Sequence, residues 1–202
     1  VNRAVGQRVS IVSPKVQTTR SRVLGIVHRG GGQIVLIDTP GIFAPKRRLD
    51  RAMVASAWAG AGDADLAVLI VDAARKSRDA DTDAIVAGLK AQGRKAILVL
   101  NKIDLVKREK LLALAAGFNA EGIFTDIFMI SAETGDGVED LLNALARRMP
   151  EGPHHFPDDQ VTDAPMRLLA AEITREHLFR QLHQEVPYAL TVETESWEEF
   201  DN

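Results

Sequence analysis

Two short apolar runs each end in a tetrad that carries an acid. Ile34-Val35-Leu36-Ile37 leads directly into Asp38-Thr39-Pro40-Gly41, and Ala96-Ile97-Leu98-Val99-Leu100 leads into Asn101-Lys102-Ile103-Asp104. Runs of this length without polar interruption read as strands buried on both faces, and such strands belong to a parallel sheet covered by helices. The carboxyl ends of those strands are where an open α/β sheet builds its ligand site. The pairing of strand end with acid therefore constrains both the architecture and the position of any site.

The rest of the chain alternates in the same sense. Val9 to Val12 is a short apolar run, and Gly25 to Val27 with Ile34 to Ile37 flank the turn Arg29-Gly30-Gly31-Gly32, a hairpin by pattern. Ala52 to Gly60 reads as an Ala-rich helix, and Leu66 to Val71 as a strand bounded by Asp65 and Asp72. Helices are expected over Asp79 to Gln92, Lys107 to Ala116 and Val138 to Met149, with a strand over Asp126 to Ile130. This order implies a mainly parallel sheet with one antiparallel edge and helices on both faces.

Pro150 to Pro157 is rich in breakers and marks a boundary, giving a first unit over 1–150, a linker over 151–164 and a partial unit over 165–202. In the last unit Met166 to Ala171 reads as a strand, Arg175 to Gln184 as a helix with Leu178 and Leu182 four apart, and Tyr188 to Glu195 as a half-exposed strand. Two strands and a helix bury too little apolar surface to stand alone.

Charge and composition narrow the chemistry. Val1 to Ile37 contains no acid and carries Arg3, Arg8, Lys15, Arg20, Arg22 and Arg29, a distribution suited to phosphates and other polyanions. Beyond Arg180 the sign reverses, with six acids and no Lys or Arg. The chain has no Cys, which excludes disulfides, thiolate nucleophiles and Cys-based metal sites. No segment approaches the roughly 18 uninterrupted apolar residues that span a bilayer.

The tetrads carry specific chemistry. Asp104 can accept from the paired N1–H and N2–H donors of guanine, a pair that adenine does not present. Asn101 is placed to tie loops together, and the stem of Lys102 to lie along a purine face. The plain alternative is a surface loop in which Asp104 caps the next helix. Ser131-Ala132, after the strand ending at Ile130, offers backbone N–H groups to guanine O6, or a helix cap by Ser131 or Thr134. Asp38 is suited to Mg²⁺, reached through a water, and Gly41 to a backbone contact with a γ-phosphate; the alternative is an ordinary Pro-Gly turn. Thr19, rather than Thr18, is the candidate for completing the Mg²⁺ shell, against a reading of Gln17-Thr18-Thr19-Arg20 as a basic surface loop.

Other residues have weaker readings. His154 and His155 are adjacent in the linker with no third ligand at metal spacing, so they are expected to be exposed linker residues. His177 and His183 read as surface or packing residues. Trp58 and Trp197 are too isolated for a base-stacking platform.

These motifs, with Ser13 to Arg22, Ile42-Phe43-Ala44-Pro45-Lys46, Thr162-Asp163, Ala171 to Glu176 and Glu185-Val186-Pro187-Tyr188, closely resemble the Era family of bacterial GTPases, one of the TrmE-Era-EngA-like GTPases. The resemblance implies a Ras-like G domain of the P-loop NTPase class followed by the start of an α+β KH domain. It implies GTP or GDP and Mg²⁺ as ligands, with Thr19, Asp38 and Gly41 on the switch loops and Asn101, Lys102, Asp104, Ser131 and Ala132 around the base. It further implies a GTP hydrolase that assists 16S rRNA processing and assembly of the 30S subunit, cytoplasmic and monomeric, with peripheral association to the inner membrane. Ile42 stands where many small GTPases place a water-orienting Gln, so hydrolysis is expected to be slow.

A phosphate loop ending Gly-Lys-Ser/Thr does not occur in the 202 residues. In the family that loop precedes the segment matching Asn2 to Gly6, and the RNA-clamping Gly-x-x-Gly loop falls beyond the position of Asn202. Both are expected to lie outside the sequence rather than to have been lost. The alternatives are a nucleotide-incompetent fragment with a structural or binding role, and a related GTPase with another carboxyl-terminal domain.

Overall fold

The computed structural model describes residues 1–13, 19, 22–42, 48–75, 77–182 and 190–198. A short helix α1 (Asn2–Val5) precedes the strands β1 (Val23–Arg29) and β2 (Gly32–Asp38). There follow α2 (Arg48–Asp63), β3 (Val68–Asp72), α3 (Ala80–Ala91), β4 (Ala96–Asn101), a 3₁₀ turn (Ile103–Leu105), α4 (Arg108–Asn119), β5 (Phe124–Met129), α5 (Val138–Ala146) and α6 (Met166–Gln181).

β1 and β2 pair antiparallel from Val23↔Asp38 to Arg29↔Gly32. Gly30 and Gly31, at φ 60° and 78°, form the tight connection; two successive left-handed residues match the right-handed strand twist, and glycine adopts them without steric cost. β4 runs parallel to both β3 and β5 and lies between them. The expected single sheet is, among the described residues, two separate sheets: the β1-β2 hairpin and the parallel order β3-β4-β5.

β4 is the structural centre. Ile97 and Val99 face a core shared with Val27 and Ile34 of the hairpin and with Val138, Leu141, Leu142 and Leu145 of α5. Leu98 and Leu100 face the opposite core, with Val86 and Leu89 of α3 and Leu111 and Phe118 of α4. An unbroken apolar run is what a strand between two cores requires. β3 departs from the expectation of burial on both faces: Val68 and Ile70 are exposed, Ile70 by 60 %. β3 is an edge strand, paired on one side to β4 and on the other to no described strand.

The last segment also differs from its reading. Met166 to Ala171 is the start of α6 and not a strand, with Pro165 at its N-cap and Met166 and Leu168 exposed. Pro is compatible with a helix start, and Leu-Leu-Ala-Ala favours helix over strand. Residues 190–195 form no strand; Thr194 donates its hydroxyl to the Arg167 carbonyl at 2.9 Å, so this stretch lies against the start of α6. Tyr188, His183 and the Glu185 to Tyr188 motif lie outside the described residues.

Gly137, at φ 71°, is the N-cap of α5, and a Cβ there would sit 2.3 Å from the Met129 carbonyl oxygen. Gly137→Ala is expected to cost about 2–3 kcal/mol, combining a left-handed backbone with a backbone clash. A urea midpoint unchanged by that substitution would contradict the tight β5–α5 connection.

Candidate nucleotide-binding site

The carboxyl ends of β2 and β4, with the loop after β5, supply the expected site residues other than Thr19. Asn101, the last residue of β4, has a side-chain carbonyl that accepts from the N–H of Lys102 at 2.8 Å and from the N–H of Ala132 at 3.0 Å. One amide therefore ties the β4 loop to the β5 loop, as its position suggested. It also uses the Ala132 N–H, which was among the donors considered for guanine O6.

Lys102 is the one non-glycine residue at positive φ (66°) among the described residues. Its ammonium pairs with Asp72 at the end of β3, 2.8 Å away. Burial pulls the Asp72 carboxyl upward, but the Lys102 ammonium, the Ala74 N–H and the charge of Arg75 outweigh it and hold the group below the ordinary carboxylate range. Asp104 is exposed on the 3₁₀ turn that follows. It caps no helix: α4 starts from Lys107 without a side-chain cap. The carboxylate is thus left exposed to solvent.

Ser131 is fully buried, and its hydroxyl accepts from the Thr134 N–H at 3.1 Å. Its N–H donates to Asp136 and its carbonyl accepts from Gly135, at 2.9 and 2.8 Å. Ser131 therefore organises the turn rather than presenting itself to a ligand. Arg3 of α1 braces the same turn, donating to the Ala132 carbonyl at 2.9 Å and to the Glu133 carbonyl.

Asp38 ends β2, half-buried, and accepts the Ser10 hydroxyl at 2.8 Å. Pro40 is buried and Gly41 exposed, and a Cβ at Gly41 would meet no protein atom within 4 Å. Packing does not require glycine there. Thr19 is half-buried beside a crevice that also holds Ser10, Val23, Leu168 and Ile173, which places it toward α6. No hydrogen bond among the described residues joins it to Asp38. Thr18 and Arg20, and Phe43 to Lys46, lie outside the described residues.

Residues with no sequence motif complete the frame. The Asn2 side chain accepts from the N–H groups of Val9 and Ser10 and donates to the Ser10 carbonyl. Glu176 of α6, 1 % exposed, accepts from Arg8, from the Val12 N–H at 3.1 Å and from Arg180 at 2.6 Å. Segment 8–12 thus lies between Asp38 and α6. Glu176 entered the sequence reading only within the Ala171 to Glu176 stretch, with no role assigned to it.

Residues 1–102 match the family model described as 50S ribosome-binding GTPase. The GTPase Era of Afipia carboxidovorans is 59 % identical over the whole chain, which spans 65 % of that protein's length. A crystal structure of Era with MgGDPNP and nucleotides 1506–1542 of 16S ribosomal RNA superposes with a TM-score of 0.86 at 36 % identity, over 93 % of this chain and 64 % of the other. An Aquifex aeolicus Era variant bound to GDP·AlF₄⁻ gives 0.84 at 37 %, over 92 % and 64 %.

Burial pulls the Glu176 carboxyl up, and the hydrogen bonds from Arg8 and Val12 with the charges of Arg8 and Arg180 bring it below the usual carboxylate range. A lowered folded pKa stabilises the protein above the unfolded value of about 4.3, and that stabilisation is lost as pH falls through the folded value. Glu176→Gln is expected to cost about 1.5–3 kcal/mol at pH 7. The difference in urea midpoint from wild type should shrink progressively below pH 4; a constant difference would contradict the ionised, bonded state. The matched family model, the high identity to Era and the superposition on two Era structures together place the chain in this GTPase family, in its Era branch.

Proposed function

We propose that the protein containing this chain binds GTP and GDP with Mg²⁺ and hydrolyses GTP, acting on 16S rRNA during 30S assembly. The observation that carries the reading is the Asp104 carboxylate, exposed and uncommitted beside a loop junction that Asn101 locks from two sides. A carboxylate in that position accepts both N–H donors of a guanine edge, while adenine would leave it unpaired in a desolvated contact. The Lys102 stem, drawn toward β3 by Asp72, supplies an apolar flank for the purine ring.

The remaining residues suit the phosphate end. Asp38 brings a carboxylate oriented by Ser10 to the end of β2, where an oxygen ligand serves Mg²⁺. Gly41 leaves open space for a phosphate to approach its N–H. Thr19 would contribute its hydroxyl to the cation beside Asp38. Ile42 neither accepts a proton nor aligns a water, so hydrolysis depends on positioning and charge stabilisation and is slow. When bound, Mg²⁺ held by Asp38 and Thr19 would supply charge neutralisation for the phosphates.

The rRNA reading follows from the Era structure that holds a 16S fragment, of which this chain spans 64 %. In this reading 1–150 is the G domain with its phosphate loop in the preceding sequence, 151–164 the linker, and α6 the first helix of a KH domain that holds RNA. The exposed far edge of β3 suits a preceding strand that would join the two sheets. The protein is a cytoplasmic monomer with peripheral contact to the inner membrane; no helix among the described residues is long and apolar enough to cross one.

Asp104→Asn in the full-length protein is expected to weaken GDP binding by about a hundredfold or more, because two purine donors lose a charged acceptor. Fluorescent GDP displacement measures this directly. Unchanged GDP affinity would remove Asp104 from the base site.

A further inference from the structure

The linker histidine that lacked a partner by spacing acquires two in space. His28 on β1, His154 and Asp158 bring one donor atom each to within 4.8 Å of one another. Asp158 Oδ1 lies 3.1 Å from His154 Nδ1 and 3.7 Å from His28 Nε2. In a four-coordinate site with metal–ligand bonds of ~2.0–2.1 Å, neighbouring donor atoms stand roughly 3–3.8 Å apart. The geometry needs little adjustment to surround an ion.

The hydrogen bonding around His154 points the same way. His154 Nε2 faces the Gly31 carbonyl at 3.3 Å, and a carbonyl only accepts, so Nε2 carries the hydrogen. His154 Nδ1 in turn meets the Asp158 carboxylate at 3.1 Å, close enough for both atoms to share one cation. A backbone carbonyl on the far ring nitrogen is also the usual way of orienting a metal-binding histidine.

The segment is held in place independently of any ion. Gln33 on β2 accepts from the N–H groups of His155 and Phe156 at 2.9 and 3.1 Å, and donates to the Phe156 carbonyl at 2.9 Å. It also contacts His28 Nε2 at 2.9 Å, so its amide N–H occupies the lone pair that a metal would take.

We propose that His28, His154 and Asp158 form a surface site for a divalent transition cation of the Zn²⁺ class, which staples the linker to the β1-β2 hairpin. Two imidazoles and one carboxylate favour borderline ions over Mg²⁺ or Ca²⁺, which prefer all-oxygen shells. The exposed setting leaves a fourth position to water.

The test is calorimetric titration of Zn²⁺ into the full-length protein in excess Mg²⁺, which saturates oxygen-ligand sites. One-to-one binding is expected, weakened about tenfold or more in His154→Gln and in His28→Gln. In the wild type, Co²⁺ should broaden the ring-proton NMR signals of His28 and His154 while sparing His177. Equal Zn²⁺ affinity in wild type and both histidine variants, no binding at all, or Co²⁺ broadening centred on His177 would each overturn the site.

Discussion

The side-chain amide of Asn101 holds the arrangement together. Its carbonyl accepts from two backbone N–H groups that belong to different loops, one after β4 and one after β5. Each such bond contributes about 1 kcal/mol net, but the geometric consequence is larger: the loop carrying Asp104 cannot move without the loop carrying Ala132. Lys102 is forced into a left-handed backbone to make this turn, and its ammonium is secured on Asp72. Strain at one residue is offset by an ion pair and two hydrogen bonds, a pattern common where a loop must be preorganised for a ligand.

A second set of contacts reaches from the site to the last helix. Asp38 holds Ser10, Asn2 holds the backbone at Val9 and Ser10, and Glu176 holds Arg8 and Val12 from the opposite side. A buried carboxylate is costly unless its bonds are complete, and here three donors meet it. Segment 8–12 is consequently shared between Asp38 and α6.

Much of this was legible from residue patterns, and the exceptions have physical causes. The hairpin, α3, β4, α4, β5 and α5 follow from periodicity because each packs against its neighbours with an unambiguous stripe or run. Leu66 to Val71 has the same apolar composition as Ala96 to Leu100, yet its strand β3 exposes Ile70, since burial depends on what pairs along the second edge. Met166 to Ala171 misread as strand because six residues, five of them apolar, are too few to reveal their period. At the site, Asn101 and Asp104 stood out by motif, whereas Asp72, Ser10 and Arg3 carry no local signature and Glu176 had no role assigned within its stretch; these gain meaning from partners up to 168 positions away. His154 is an exposed linker residue as read, but linear spacing does not show that β1 brings His28 alongside.

The central claim is that a carboxylate on this loop junction selects guanine. Isothermal titration of the full-length protein with GDP and with ADP in Mg²⁺ tests it most directly. The account predicts tight GDP binding and ADP binding weaker by about two orders of magnitude or more. Equal affinity for the two, or a preference for ADP, would contradict it.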